Sequence, residues 1–224
     1  MEEKVRIIEL HEDVFRKNNE DSDNLRKKLK EQGILLINVM SSPGAGKTTL
    51  LRGIIRRLKD KYNIGVLEAD IDSDVDAYRI IEEGADSVQV HTGGSCHLTA
   101  DMTQQGLNGF SSSKKYDLIF LENVGNLVCP AEFDTGATMN IMLLSVPEGD
   151  DKPLKYPLMF KVSQALIVTK IDVAPVFNFS LDKCEKYSLE RNPSLKIFPV
   201  SAKRGDGMDE LVSFIESKIQ EQKA

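Results

Sequence analysis

Residues 34–49, Ile-Leu-Leu-Ile-Asn-Val-Met-Ser-Ser-Pro-Gly-Ala-Gly-Lys-Thr-Thr, constrain the chain more than any other stretch. An apolar run ends in a Pro/Gly turn, a Lys-Thr pair follows, and Leu50, Leu51, Ile54, Ile55 and Leu58 then recur at helical spacing. The pattern reads as strand, glycine-rich loop, helix. In such a loop the backbone N–H groups of Ser42, Pro-flanked Gly44, Ala45, Gly46, Lys47, Thr48 and Thr49 surround a polyphosphate, with the positive end of the helix behind them. Pro43 lacks the donor and shapes the turn. Lys47 reaches the terminal phosphates and the Thr48 hydroxyl meets Mg2+. The usual spacing G-x-x-x-x-G-K-[ST] puts its first glycine at Ser41 here. A positive φ at that serine would carry strain.

A chain of 224 residues suits one α/β domain, and 29% charged with 41% hydrophobic residues is ordinary for a globular protein. The formal charge of −6 and the lack of a long basic stretch argue against nucleic acid as the main partner. No apolar run is long enough for a membrane span, and Met-Glu-Glu-Lys-Val-Arg is no signal peptide, so a cytoplasmic location is expected. Three cysteines make a disulfide framework a poor reading and metal binding a better one.

Before the loop, residues 1–32 read as a helical arm packed on the main domain, which spans 33–224. One amphipathic helix over 3–17, with a solvated His11, is expected to break at Asn18 to Asp23. Ser22 or Asp23 then caps a second helix that Gly33 closes. Further strands are expected near 63–69, 87–91, 116–121, 140–146, 165–168 and 195–200, with helices between them. Alternation of this kind gives a mostly parallel sheet with helices on both faces, an α/β fold of the P-loop NTPase type.

The second strand ends at Asp70-Ile-Asp-Ser-Asp-Val-Asp. The glycine and closing glutamate of a calcium loop are missing. Asp70 or Asp72 could hold Mg2+ through water or orient an attacking water, while Asp72 or Ser73 could equally cap the next helix. The fourth strand runs into Glu122-Asn-Val-Gly, where Glu122 would meet Mg2+ and the Gly125 N–H the terminal phosphate. Cys96 and His97, after the third strand, and Cys129, after the fourth, leave the same sheet edge. Two thiolates and an imidazole suit Zn2+ or Ni2+, provided the backbone turns sharply between Cys96 and His97. The competing reading makes the cysteines small packing residues. His91 reads as a hydrogen-bonded strand end, and Cys184 as packing.

Thr169-Lys-Ile-Asp and Ser201-Ala-Lys select the base. Asp172 can accept both guanine N1–H and the 2-amino group, whereas adenine would leave that carboxylate unpaired. Lys170 would lie over the base, the Ala202 N–H would meet the guanine oxygen, and Ser201 and Lys203 complete the loop. The pair matches the N-K-x-D and S-A-K motifs of GTPases, with Thr169 in place of asparagine, which predicts reduced guanine affinity.

With these motifs assembled, the chain from about residue 34 resembles the HypB family of nickel-hydrogenase maturation GTPases. The specific segments are Ser41-Ser-Pro-Gly-Ala-Gly-Lys-Thr-Thr, His91-Thr-Gly-Gly-Ser-Cys-His-Leu-Thr-Ala-Asp-Met and Leu121-Glu-Asn-Val-Gly-Asn-Leu-Val-Cys-Pro-Ala. The resemblance implies the dimerising SIMIBI class of P-loop proteins and a slow GTPase acting on GTP to give GDP. It implies nickel delivery to a [NiFe]-hydrogenase large subunit, with a HypA-like nickel protein as partner and a GTP-dependent homodimer. It also implies that Cys96, His97 and Cys129 bind Zn2+ or Ni2+ at the dimer interface. The chain lacks the Cys-rich N-terminal motif and His-rich tract of some members. Urease-type nickel accessory GTPases differ in having Cys-Pro-His where Cys96-His97 stands here. A GTP-regulated metal-binding module with incidental turnover is the other alternative.

Overall fold

The computed structural model describes residues 10–70 and 75–224. In chain order the elements are α1 (Leu10–Gln32), β1 (Leu35–Ser41), α2 (Lys47–Leu58), β2 (Ile64–Asp70), α3 (Val75–Glu82), β3 (Asp86–His91), α4 (Ala100–Leu107) and β4 (Leu118–Glu122). They continue with α5 (Cys129–Glu132), β5 (Met139–Ser145), α6 (Lys152–Lys155), α7 (Pro157–Val162), β6 (Ala165–Thr169), α8 (Leu181–Arg191), β7 (Lys196–Val200) and α9 (Met208–Lys223). The stretch 147–157 contains part of a 3-10 turn (Val146–Glu148) and all of α6.

The seven strands form one sheet in the order β3-β2-β4-β1-β5-β6-β7, and every pairing is parallel. Parallel strands need crossovers, and the helices that make them cover both faces. β1 alternates accordingly. Leu35, Ile37 and Val39 face α2 and α9, with Leu50, Ile54, Ile55, Leu211 and Ile215 in the same cluster. Leu36 faces Leu25 and Leu29 of α1, and Met40 faces Met159 and Phe160 of α7. Full burial of each large α2 side chain contributes about 1.5–3 kcal/mol, so Ile54→Ala would cost about 2–5 kcal/mol.

Because all strands run the same way, all their C-terminal ends emerge at one edge. β1 lies between β4 and β5, and the chain leaves it towards β2 on one side and later crosses to β5 on the other. That reversal opens a crevice above the end of β1, where ligands of open α/β sheets bind.

The arm differs from expectation. Residues 10–32 are one continuous helix of 23 residues, with no break at Asn18 to Asp23. Its expected start at residue 3 lies outside the described residues, as does the side chain of His11. Two of the polar residues that suggested a break, Asn18 and Ser22, are buried. Ser22 is fully buried and donates to the carbonyls of Asn18 (2.7 Å) and Asp134 (3.1 Å). A hydroxyl that bonds its own i−4 carbonyl can sit inside a helix, and here it also meets a partner across the interface. Gly33 closes the helix with φ 69°, as expected.

Candidate functional site

The loop after β1 folds as its glycines require. Gly44 (φ 74°) and Gly46 (φ 98°) take left-handed conformations. Gly46 leads directly into α2, so successive N–H groups converge where an anion would sit. Ser41 carries no positive φ; among the described non-glycine residues only Lys170 and Asn178 do. The strain expected at Ser41 is absent because β1 extends through it. Its hydroxyl instead donates to the Ser42 carbonyl (2.7 Å) and accepts from Lys47 Nζ (3.1 Å). The position that is usually glycine thus gives Lys47 a hydroxyl oxygen partner at the end of β1.

The Thr48 hydroxyl donates to Glu122 Oε1 at 3.0 Å. One group begins α2 and the other ends β4, a buried strand end beside β1. A hydroxyl and a carboxylate this close are the hard oxygen donors that Mg2+ takes, and the residues present fit that ion. Asp70 ends β2, where its backbone alone is described; Asp72 lies outside the described residues.

The base-side loops close onto the same turn. Thr169 is buried, and its hydroxyl donates to the Ala45 carbonyl at 2.7 Å. Lys170, at φ 61°, reaches the Gly44 carbonyl with Nζ at 2.7 Å. Thr169 therefore keeps a tether to the phosphate loop, although it has no amide to offer a base. The Ser201 hydroxyl beside Asp172 holds that carboxyl below the usual carboxylate range. Ala202 and Lys203 follow on the loop after β7.

Cys96, His97 and Cys129 come together: one ligand atom from each lies within 4.8 Å of the other two. Gly93 (φ 60°) and Gly94 (φ 90°) supply the sharp turn that adjacent ligands need. Thr92 and Ser95 then fix it, with Thr92 Oγ1 donating to the Ser95 carbonyl (2.9 Å) and Ser95 Oγ to the His97 carbonyl (3.0 Å). Cys96 Sγ lies 3.8 Å from His97 Nδ1. Hydrogen bonding with Cys129, aided by burial, raises the Cys96 thiol pKa. Burial lowers that of His97, favouring the neutral imidazole that a metal requires. This clustering favours the metal reading over inert packing cysteines. His91 is exposed and is not part of the trio; Cys184 is buried on α8, where burial lifts its thiol to about 12.

The segment that carries Cys129 and the glycine-rich loop after β1 approach closely. A Cβ built on Gly125 would lie 3.0 Å from Pro43 Cγ and 3.1 Å from Pro43 Cα. Gly125 stands on the segment that runs from Glu122 to Cys129, so one short stretch visits both centres.

The CobW/HypB/UreG nucleotide-binding-domain family matches residues 35–199. Hydrogenase maturation factor HypB of Escherichia coli strain K12 is 41% identical over 213 residues, covering 95% of this chain and 73% of that protein. The chain belongs to the HypB family. Among solved structures, HypB from Helicobacter pylori in complex with nickel superposes with a TM-score of 0.86 at 38% identity, covering 92% of this chain and 96% of that one. The signal recognition particle receptor FtsY from Elizabethkingia anophelis shares the fold alone, with a TM-score of 0.55 at 14% identity over 92% of this chain and 80% of its own. The family fold is thus an α/β P-loop nucleotide-binding domain, with a Cys/His/Cys cluster beside its phosphate loop in this member. Among the described residues no helix is long and apolar enough to cross a membrane.

Several residues of the site escaped sequence reasoning. Glu148 accepts from the Ser42 hydroxyl of the phosphate loop, and its other oxygen accepts from Ser145 N (2.8 Å) and Oγ (2.7 Å). Asn123 just past β4, Asn38 in the middle of β1 and Asn140 near the start of β5 form a side-chain ladder, each bond 3.0 Å long. Asn38 interrupts the apolar run of β1 and was the one visible signal of that ladder. Phe133 stacks on His97 with ring centroids 3.7 Å apart and planes 12° from parallel. An aromatic residue in the segment after Cys129 gave no local pattern to read.

Proposed function

We propose that this chain is a GTP-hydrolysing metallochaperone that assists nickel insertion into the large subunit of a [NiFe]-hydrogenase during maturation. The observation that carries the reading is the contact between Gly125 and Pro43. It joins the segment bearing Glu122 and Cys129 to the loop that would hold the phosphates. The hydrogenase-maturation name of the Escherichia coli relative and the nickel in the Helicobacter pylori structure support the cargo.

In this reading the N–H groups of residues 42–49 and Lys47 hold the phosphates of GTP. Thr48 and Glu122, with Asp70, would hold Mg2+, which when bound supplies positive charge at the phosphate oxygens. Asp70 or Asp72 orients a water for attack on the γ-phosphorus, the bond to the bridging oxygen breaks, and GDP and phosphate leave. Gly125 donates its N–H to the γ-phosphate and loses that partner on hydrolysis. The segment 122–129 then relaxes, and Cys129 with it. Asp172 reads guanine N1–H and the 2-amino group; Thr169, Lys170, Ser201, Ala202 and Lys203 shape the pocket around the base. Cys96, His97 and Cys129 take Ni2+ or Zn2+. A GTP-dependent homodimer works with a HypA-like nickel protein and the large subunit.

Nickel incorporation into an immature large subunit, with a HypA-type protein and GTP, tests this. Lys47→Ala should abolish GTP turnover and nickel transfer, and Cys129→Ala should lose transfer while retaining turnover. Full transfer by Lys47→Ala would contradict the proposal.

A further inference from the structure

We propose that α1 is a brace that sets the geometry of the Cys96, His97 and Cys129 site, with Asn18 and Phe133 as its positioning residues. The inference rests on the reading that this trio holds a divalent transition metal. The ligands come from two separate loops, one between β3 and α4 and one after β4. Something must hold those loops at a fixed separation before a metal arrives.

Asn18 spans them. Its Oδ1 accepts from the Ala100 N–H at 3.0 Å, at the start of α4 where the loop of Cys96 and His97 ends. Its Nδ2 donates to the Asp134 carbonyl at 2.8 Å, on the segment of Cys129. The side chain is buried, with 6% exposure, so both ends of one amide serve as a spacer of fixed length. Asp134 is gripped further by the Ser22 hydroxyl and by Arg26, whose two terminal nitrogens reach its carboxylate at 2.8 and 2.7 Å. Residues 15, 18, 22 and 26 recur on one face of α1, so a single helical stripe makes the whole attachment.

The stripe also reaches a ligand ring. Phe15 stacks on Phe133 at 5.0 Å, and Phe133 stacks on His97 at 3.7 Å. A flat ring parallel to the imidazole fixes its plane and leaves the ring edge, with Nδ1 turned towards Cys96 Sγ, open to the metal. A branched aliphatic in place of Phe133 would fill space without setting that plane.

Co2+ titration of the full chain tests the brace, read by the thiolate charge-transfer and d–d absorption bands. Asn18→Ala and Phe133→Leu should each weaken Co2+ binding about 10- to 100-fold and alter the d–d envelope, with GDP affinity unchanged. Phe133→Tyr should restore wild-type affinity and spectrum, and this pair decides the matter if Asn18→Ala fails to fold. Wild-type affinity and spectrum in Phe133→Leu, while Cys129→Ala abolishes binding, would overturn the brace and leave the metal site standing. No thiolate band in the wild-type chain would overturn the metal reading and the brace with it.

Discussion

Thr48 Oγ1 donates to Glu122 Oε1 at 3.0 Å, tying the first turn of α2 to the last residue of β4. In the proposed mechanism these two oxygens would hold Mg2+, which would supply positive charge at the phosphates. Glu122→Gln keeps the shape and removes the charge. It should lower GTP turnover by about 10²-fold and raise the Mg2+ concentration needed for half-maximal rate. Single-turnover phosphate release across a Mg2+ series measures both.

Asp172 lies on the 3-10 turn after β6 and is the residue proposed to read the guanine base. Replacing it by asparagine exchanges an acceptor for a donor where guanine presents N1–H and NH2. Guanine binding should fall by about 1–3 kcal/mol, or roughly 5- to 150-fold. Xanthine has a carbonyl in place of the 2-amino group, so XDP affinity should rise in Asp172→Asn. Competition of GDP and XDP against a fluorescent nucleotide reads the exchange directly.

Glu83 closes α3 and accepts from Arg52 Nε (2.8 Å) and Arg56 Nε (2.6 Å) of α2. Its bonds to Arg56, then to Arg52, hold its carboxyl near pKa 2 against an ordinary 4.5, despite opposing burial. A depressed folded-state pKa gives stability that is present above the unfolded value and lost as pH falls through the folded one. Urea midpoints should therefore drop between about pH 4.5 and 2, and Glu83→Gln should flatten that part of the curve. An unchanged slope in the variant would remove Glu83 from the acid response.

How much of this was legible depends on how local each feature is. Residues 34–58 declare strand, loop and helix within a single stretch, because the apolar period switches at Lys47 and glycine stands at the two positions needing positive φ. The sheet-edge rule then brought Cys96, His97 and Cys129 to one place, although they come from two crossovers. Asn18 and Ser22 misled. Polar residues in mid-helix look like a break until their partners, Ala100 and Asp134, are seen more than eighty residues away. The bond from the Thr169 hydroxyl to the Ala45 carbonyl was not legible because it spans 124 positions of sequence. Glu148 and Phe133 were silent for the same reason: each acts through a surface that only the folded sheet edge creates.

In the proposed function the phosphate loop and the Cys96, His97 and Cys129 trio act as one unit joined through Gly125. Equilibrium dialysis of Ni2+ against the chain, saturated with GDP or with a non-hydrolysable GTP analogue, tests it most directly. One Cys-dependent Ni2+ site is expected, with a Kd that differs about 10-fold between the two nucleotides, within the usual range of coupling between sites. Equal Kd values with both nucleotides would contradict it.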